Sequence, residues 1–127
     1  MKELTKAEEQ IMQIIWKLEK GFVNDVIDQM PEPKPAYNTV STIIRILEKK
    51  GFIEHKAYGK TYEYYPVINR KEYTKKYFGS FMNNYFGNSY QQLVSFFARE
   101  NNLSIENLEE IKKIMELEIE KQKKTIP

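Results

Sequence analysis

Apolar residues near the start of the chain recur at the spacing of one helix face. Thr5 followed three residues later by Glu8 forms a capping-box pattern, and Gly21 ends the run. The pattern therefore predicts a first helix that begins at Thr5. Its apolar positions are Ala7, Ile11, Ile14, Ile15 and Leu18.

Two more helical patterns follow. A short one is predicted to begin with Asn24 as its cap and to end near Met30. The segment beyond it is rich in proline, which cannot continue a helix. A third pattern runs from Ala36 to Gly51 and predicts a third helix. Its apolar side consists of Val40, Ile43, Ile44 and Leu47.

The opposite side of this third helix carries short polar residues and positive charge. Arginine can bind guanine, asparagine can pair with adenine, and threonine can contact the thymine methyl group. The chemistry predicts contact with DNA bases, whereas a solvated helix face is the alternative interpretation. Thr39, on the flank, suits a cap or a phosphate contact as well as base readout. The residues of the polar face are Asn38, Ser41, Thr42, Arg45 and, at its end, Lys49.

The segment FIEHKAYGKTYEYYP, after the third helix, predicts two short strands. Polar and apolar residues alternate from Ile53 to Ala57, and Gly59 lies in the expected turn. Three helices and a hairpin predict a winged helix-turn-helix domain over residues 1–68. An ordinary charged hairpin edge is the alternative interpretation of the turn. The residues expected to contact phosphates or the minor groove as a wing are Lys56, Tyr58 and Lys60.

Beyond residue 68 the pattern is helical, so the predicted fold class is mainly α with a small β-hairpin. Gly87 ends an aromatic stripe, Ser89 opens a second segment, and Ser104 opens a last helix that dissolves into the charged tail EKQKKTIP. Such apolar helices predict a helical dimerisation domain over residues 69–127 and a homodimer. The residues expected at the interface are Tyr77, Phe78, Phe81, Tyr85, Leu93, Val94, Phe97, Leu108, Ile111 and Met115.

Charge is unevenly distributed along the 127 residues, whose formal net charge is only +2. Between Pro33 and Thr61, six basic residues stand against two acidic ones, which predicts phosphate contacts. No apolar run approaches the ~20 residues that span a bilayer, and the first ten residues resemble no secretory signal. We therefore expect a cytoplasmic protein without membrane insertion. The lysines expected at phosphates are Lys34, Lys49, Lys50, Lys56 and Lys60.

Residues for catalysis or metal binding lack the necessary companions. The chain has no cysteine, its five glycines stand singly, and His55 is the only histidine. We predict no catalytic residue, metal or cofactor, and a structural role for His55. Two alternatives to DNA binding are a winged-helix module that binds protein instead and, less consistent with the residues, an enzyme of unrecognised type.

Several segments, in their order and spacing, resemble the penicillinase-repressor family of the BlaI and MecI type. They cover nearly the whole chain. They are LTKAEEQIMQIIW (Leu4 to Trp16), YNTVSTIIRILEKKGFI (Tyr37 to Ile53), GKTYEYYPVINRKEY (Gly59 to Tyr73), FGNSYQQLVSFF (Phe86 to Phe97) and the following LSIENLEEI.

This resemblance implies a homodimeric repressor that binds a palindromic operator in double-stranded DNA. It also implies that Asn38, Thr39, Ser41 and Thr42 match the base-reading stretch. Arg45 and Ile46 depart from the family's pattern, so the resemblance implies a different operator preference. In antibiotic-responsive members a membrane sensor protease triggers cleavage in the dimerisation domain. Phe96 and Phe97 stand at the corresponding bond, where those members have Asn-Phe.

Overall fold

The computed structural model describes residues 3–100 and 102–126. Its elements divide into two compact units, one ending at Phe78 and the other beginning at Gly79. The division falls inside a helix. In chain order the elements are α1 (Lys6–Leu18), α2 (Val23–Asp28), α3 (Tyr37–Lys49), β1 (Ile53–Tyr58), β2 (Thr61–Pro66), α4 (Arg70–Phe86), α5 (Tyr90–Glu100) and α6 (Ile105–Thr125).

The core of the first unit lies between its helices and its hairpin. Each of the three helices contributes most of its predicted apolar face. Removing a fully buried aliphatic side chain of this kind costs about 2–5 kcal/mol, so these positions hold the helices in one orientation. The side chains that are almost fully buried here are Ile11, Met12, Ile15, Val26, Val40, Ile44, Leu47, Phe52 and Ile53. The placement of Ala7 on the apolar face of α1 is wrong, because Ala7 is exposed and Glu8, the next residue in the first turn, is buried instead. The predicted positions that are only partly buried are Ile14, Leu18, Ile27, Met30 and Ile43.

Local hydrogen bonds determine where the first two helices begin. The predicted capping box of α1 is confirmed, since Thr5 Oγ1 accepts the Glu8 N–H at 3.2 Å and Glu8 Oε1 accepts the Thr5 N–H at 2.9 Å. The predicted Asn24 cap of α2 is wrong. The carboxylate of Asp25 accepts the Phe22 N–H at 2.8 Å, so the helix begins earlier and Asn24 lies inside it.

The hairpin is antiparallel and is joined to the link between α1 and α2. Gly59 has a φ of +64°, as the first central residue of a type II′ hairpin turn requires. Tyr64 and Gly21 exchange two backbone hydrogen bonds, of 2.9 and 2.8 Å. Three helices with this hairpin form a winged helix-turn-helix, and the predicted fold class is confirmed.

The first two turns of α4 pack on the core of the first unit. The hydroxyl of Tyr73 accepts the Leu4 N–H at 2.9 Å. Its ring centroid lies 5.6 Å from that of Phe52 and 6.0 Å from that of Trp16. The indole N–H of Trp16 donates to the Ile68 carbonyl at 2.8 Å, so the link into α4 is also fixed. The contact boundary therefore falls later than residue 68.

The second unit consists of the rest of α4, α5 and α6. Ser89 Oγ and Ser104 Oγ accept the N–H groups of Gln92 and Asn107, as the sequence predicts for helix starts. The prediction that the last helix dissolves into the charged tail is wrong, because α6 continues to Thr125, although residues 120–126 are exposed to solvent as predicted. No proline or glycine interrupts the segment, and Gln122 donates to Glu118 one turn earlier. Pro127 lies outside the described residues. Among those described, no helix is both long and apolar enough to span a membrane.

Candidate nucleic-acid interface

The polar face of α3 is open to solvent. Asn38, Thr39, Thr42 and Lys49 are all exposed, while the opposite face of the helix is buried in the core. Ile46 is also exposed on the polar side. Because burial of the apolar face fixes the rotation of the helix, the short polar side chains are presented together on one surface.

Ser41 differs from its neighbours on α3. Only 8% of Ser41 is exposed, and its Oγ accepts a hydrogen bond of 3.1 Å from the guanidinium of Arg45. Arg45 is itself exposed and has further N–H donors. A hydroxyl that is buried and already bonded is poorly placed for a base edge, whereas it can hold the arginine in position.

Lys50, at the end of α3, has an internal partner. Its Nζ lies 2.6 Å from Oε1 of Glu8, and the two side chains are 21% and 8% exposed. Burial by itself would raise the pKa of the Glu8 carboxyl, but hydrogen bonds from Lys50 and Thr5 outweigh that effect and lower the pKa overall. Lys50 therefore connects α3 to α1 in the free protein.

Lys34 is also engaged within the chain. Its ammonium donates to the carbonyls of Ile27, Asp28 and Met30, at 3.2, 3.1 and 2.9 Å. These carbonyls lie at the end of α2, where a helix leaves acceptors unsatisfied and favours a positive charge. Lys34 thus acts as a C-terminal cap.

The tip of the hairpin presents the predicted wing residues. Lys56, Tyr58 and Lys60 are all exposed, and the ammonium of Lys56 lies 5.3 Å from the centroid of the Tyr58 ring. The Tyr58 ring also meets Phe22 edge-on, at 6.0 Å. In the part of the chain that the structure describes, Lys49, Lys56 and Lys60 form no ion pair with a carboxylate. Their charges are therefore available to a partner.

His55 joins the hairpin to α3. Its Nδ1 lies 2.5 Å from the carboxylate of Glu48, and its ring stacks on that of Tyr62 at 4.1 Å. These contacts give His55 a structural role, as predicted. The described residues contain no group of three or more histidine, cysteine, aspartate or glutamate side chains arranged to hold a metal ion.

The helices of the second unit expose many apolar side chains. Of the residues predicted for an interface, Phe81, Leu93 and Ile111 are half-buried and the others are exposed. Phe96 and Phe97 are exposed within α5, and the Phe96 ring lies 5.9 Å from that of Phe86. Exposed apolar surface of this extent commonly marks an interaction site.

The first unit is a winged helix-turn-helix with an open polar helix face and two exposed lysines near the tip of its hairpin, which is the arrangement of a class of DNA-binding proteins. A helical unit with exposed apolar side chains follows it. The family model described as penicillinase repressor matches residues 4–117. The chain therefore belongs to the penicillinase repressor family, which is a family of transcriptional regulators.

Sequence similarity to two curated relatives agrees with this assignment. The methicillin resistance regulatory protein MecI of Staphylococcus aureus strain N315 is 30% identical over 114 residues, which are 89% of this chain and 93% of that protein. The penicillinase repressor of Bacillus licheniformis is 28% identical over 115 residues, 90% of each chain. A solution structure of the DNA-binding domain of the repressor BlaI is 30% identical, covers 57% of this chain and 94% of that domain, and has a TM-score of 0.49.

Proposed function

We propose that the protein is a transcriptional repressor of the bacterial cytoplasm, binding a palindromic operator as a homodimer. The observation that carries the proposal is the open face of α3, where short polar side chains lie together opposite the fully buried Val40, Ile44 and Leu47. Family membership supports the same function. An exposed helix face that contacts only solvent more often carries pairs of glutamate and lysine than short polar side chains.

Base readout is assigned to the polar face of α3. Asn38, Thr39 and Thr42 are exposed and have the donors, acceptors and methyl groups that read base edges in the major groove. Arg45 joins them, and Ser41 contributes by holding the Arg45 guanidinium. We assign no direct base contact to Ser41.

Phosphate contact is assigned to the lysines without an internal partner. Lys49 at the end of α3 and Lys56 and Lys60 on the hairpin supply charge, and Tyr58 supplies a hydroxyl. Lys34 and Lys50 are left out, because their ammonium groups already bind carbonyls and a carboxylate. Sequence-independent affinity and its dependence on salt would come from the first group.

We assign dimerisation to the helices after residue 68. A two-fold pair would bury the exposed apolar side chains of α4, α5 and α6. It would also present two α3 helices to half-sites about 34 Å apart, one turn of DNA. Each bound half-site then raises the effective concentration of the other.

Release from DNA would follow from a signal that breaks the dimer. The bond between Phe96 and Phe97 is a candidate for cleavage by a membrane sensor protease, since both side chains are exposed. The bond lies inside α5, so the helix must open locally before a protease can bind it. Loss of α6 and of the last residues of α5, which lie beyond this bond, would remove part of the proposed interface.

Selection of bound sequences from random duplex DNA, at two salt concentrations, tests this function. We expect an enriched motif with two-fold symmetry and a steep loss of affinity at the higher salt concentration. An enriched motif without symmetry would contradict the dimer. Absence of any enrichment would contradict DNA binding and would favour a module that binds protein.

A further inference from the structure

An open cleft of about 670 Å³ lies between α3, the start of α2 and the second hairpin strand. Its size is that of clefts that bind small organic molecules. The side chains that matter for its chemistry are Tyr37, Arg45, Glu48, Lys60, Tyr62 and Tyr64.

Two cations in this cleft have no carboxylate partner. The two acidic groups of the cleft keep their negative charge but are already bonded, Glu48 to His55 and the carboxylate of Asp25 to the Phe22 N–H. Arg45 donates to the neutral Ser41, and neither Arg45 nor Lys60 forms an ion pair with a carboxylate of the described residues. An anionic group in the cleft would therefore meet two cations.

The walls of the cleft are aromatic. Tyr37 and Tyr62 are 52% and 44% exposed, so both rings are accessible, and Tyr62 is held in place by stacking on His55. Tyr64 is buried beside them, and burial, with the nearby Glu48 charge, raises the pKa of its hydroxyl. Tyr64 is thus a neutral phenol that does not oppose an anion. A flat ring placed against these walls would gain stacking and apolar contact.

We propose that this cleft binds an aromatic carboxylate. The ring lies against Tyr37 and Tyr62, and the carboxylate binds Arg45 and Lys60. A guanidinium is well suited to this, because its planar donors match a carboxylate in two parallel hydrogen bonds.

The ligand also has a regulatory consequence, which rests on the proposed DNA-binding function. Arg45 and Lys60 are assigned above to DNA, so an aromatic carboxylate competes with the operator for the same two cations. Occupation of the cleft therefore lowers operator affinity without any change in the second unit.

Ligand binding is measured first on the full chain without DNA, by NMR chemical shifts. The probes are 4-hydroxybenzoate, phenylacetate and indole-3-acetate, with 4-hydroxybenzyl alcohol as a neutral ring and acetate as a carboxylate without a ring. We expect saturable shifts of Tyr37, Arg45 and Tyr62 with at least one aromatic carboxylate and with neither control. Absence of binding by all three at millimolar concentration, or equal binding of the neutral alcohol, would overturn the proposal.

Variants locate the site. Arg45→Gln should weaken binding of the carboxylate by about tenfold or more, because a charge-assisted hydrogen bond is lost. Tyr37→Ala should weaken it through loss of the ring wall. Arg70→Gln removes the same charge from a residue outside the cleft and should leave affinity unchanged. Equal affinities for all three variants and the unaltered chain would place the ligand elsewhere.

The competition is measured separately, by fluorescence anisotropy of a labelled operator. The carboxylate should raise the Kd for DNA in the unaltered chain, whereas acetate at the same concentration should not. Unchanged DNA affinity with the cleft occupied would overturn the competition. Failure of the chain to bind any DNA would count against the proposed function alone, because ligand binding is measured without DNA.

Discussion

Lys50 Nζ lies 2.6 Å from Glu8 Oε1, so the residue that caps the end of α3 is paired with the first turn of α1. The two residues are 42 positions apart in the chain. Glu8 also closes the capping box with Thr5, so one carboxylate serves both the start of α1 and the placement of α3. Substitution of Glu8 should therefore lower the stability of the folded protein.

Glu8→Gln should lower the free energy of unfolding at neutral pH by about 1–3 kcal/mol, because a largely buried charge pair is broken. The pKa of Glu8 is lower in the folded protein than its ordinary value. Its contribution is therefore fully present above that ordinary value and is lost as pH falls through the lowered pKa. Urea unfolding from pH 7 to pH 3 should show the two proteins converging in acid. Glu9→Gln, on the same turn but exposed, is the control, and a constant difference across the pH range would contradict the assignment.

Arg45→Ala and Lys60→Ala should weaken DNA binding in different ways. Loss of Arg45 should cost about 1–3 kcal/mol on the preferred operator and relax its sequence preference, since a base contact is removed. Loss of Lys60 should weaken binding to all sequences and lower the salt slope by about 1. Titrations of specific and random duplexes at several salt concentrations separate the two. Full operator preference in Arg45→Ala would exclude base readout by this residue.

A chain ending at Asn88 should keep the first unit folded but lose tight operator binding. All the core contacts of the first unit lie before this point, whereas α5 and α6 are removed. Without a second half-site, affinity should fall by about 100-fold or more. Circular dichroism checks the fold, sedimentation the loss of the dimer, and anisotropy the affinity. Unaltered affinity in the shortened chain would show that the dimer is not needed.

Tyr73→Phe should lower the free energy of unfolding by about 1–3 kcal/mol, because the buried Leu4 N–H loses its acceptor while the ring is retained. Urea unfolding of the full chain measures the change. Tyr65→Phe removes an exposed hydroxyl and should alter stability little. Similar stabilities for the two variants would mean that the Tyr73 hydroxyl does not hold the start of the chain.

Lys34→Gln should act on stability and leave the salt dependence of DNA binding unchanged. The substitution weakens the cap on the carbonyls at the end of α2, at a cost below about 1 kcal/mol for an exposed side chain. Lys49→Gln is the matched comparison, expected to lower the salt slope by about 1 without a change in stability. If Lys34→Gln lowered the slope as Lys49→Gln does, Lys34 would be a phosphate contact after all.

Features of the fold that depend on neighbouring residues were predictable from the sequence. Thr5, Ser89 and Ser104 each bond to an N–H three residues later, and the spacing of such pairs is visible in the chain. The start of α2 was not predicted, because Asp25 caps it from inside the helix.

Features of the candidate site that depend on contacts between residues far apart in the chain could not be predicted from the sequence. The positive charge of Lys50 is as suited to phosphate as that of Lys49, and only the fold brings Glu8 beside it. The burial of Ser41 likewise arises from the packing around α3 and not from its own residue type. The sequence alone therefore predicts which face is polar, but not which of its members are already bonded.

The anchoring of Tyr73 also governs how members of this family can be recombined. The first turns of α4 pack on the core of the first unit. A hybrid that joins this unit to the C-terminal helices of another family member must therefore keep the present sequence as far as Phe78. The junction between the two sequences then lies within a continuous helix. Because each residue of an α-helix turns the chain by about 100°, one residue too many or too few at that junction would move the following side chains of α4 to a different face of the helix. Helical phase therefore matters more at such a junction than sequence similarity does.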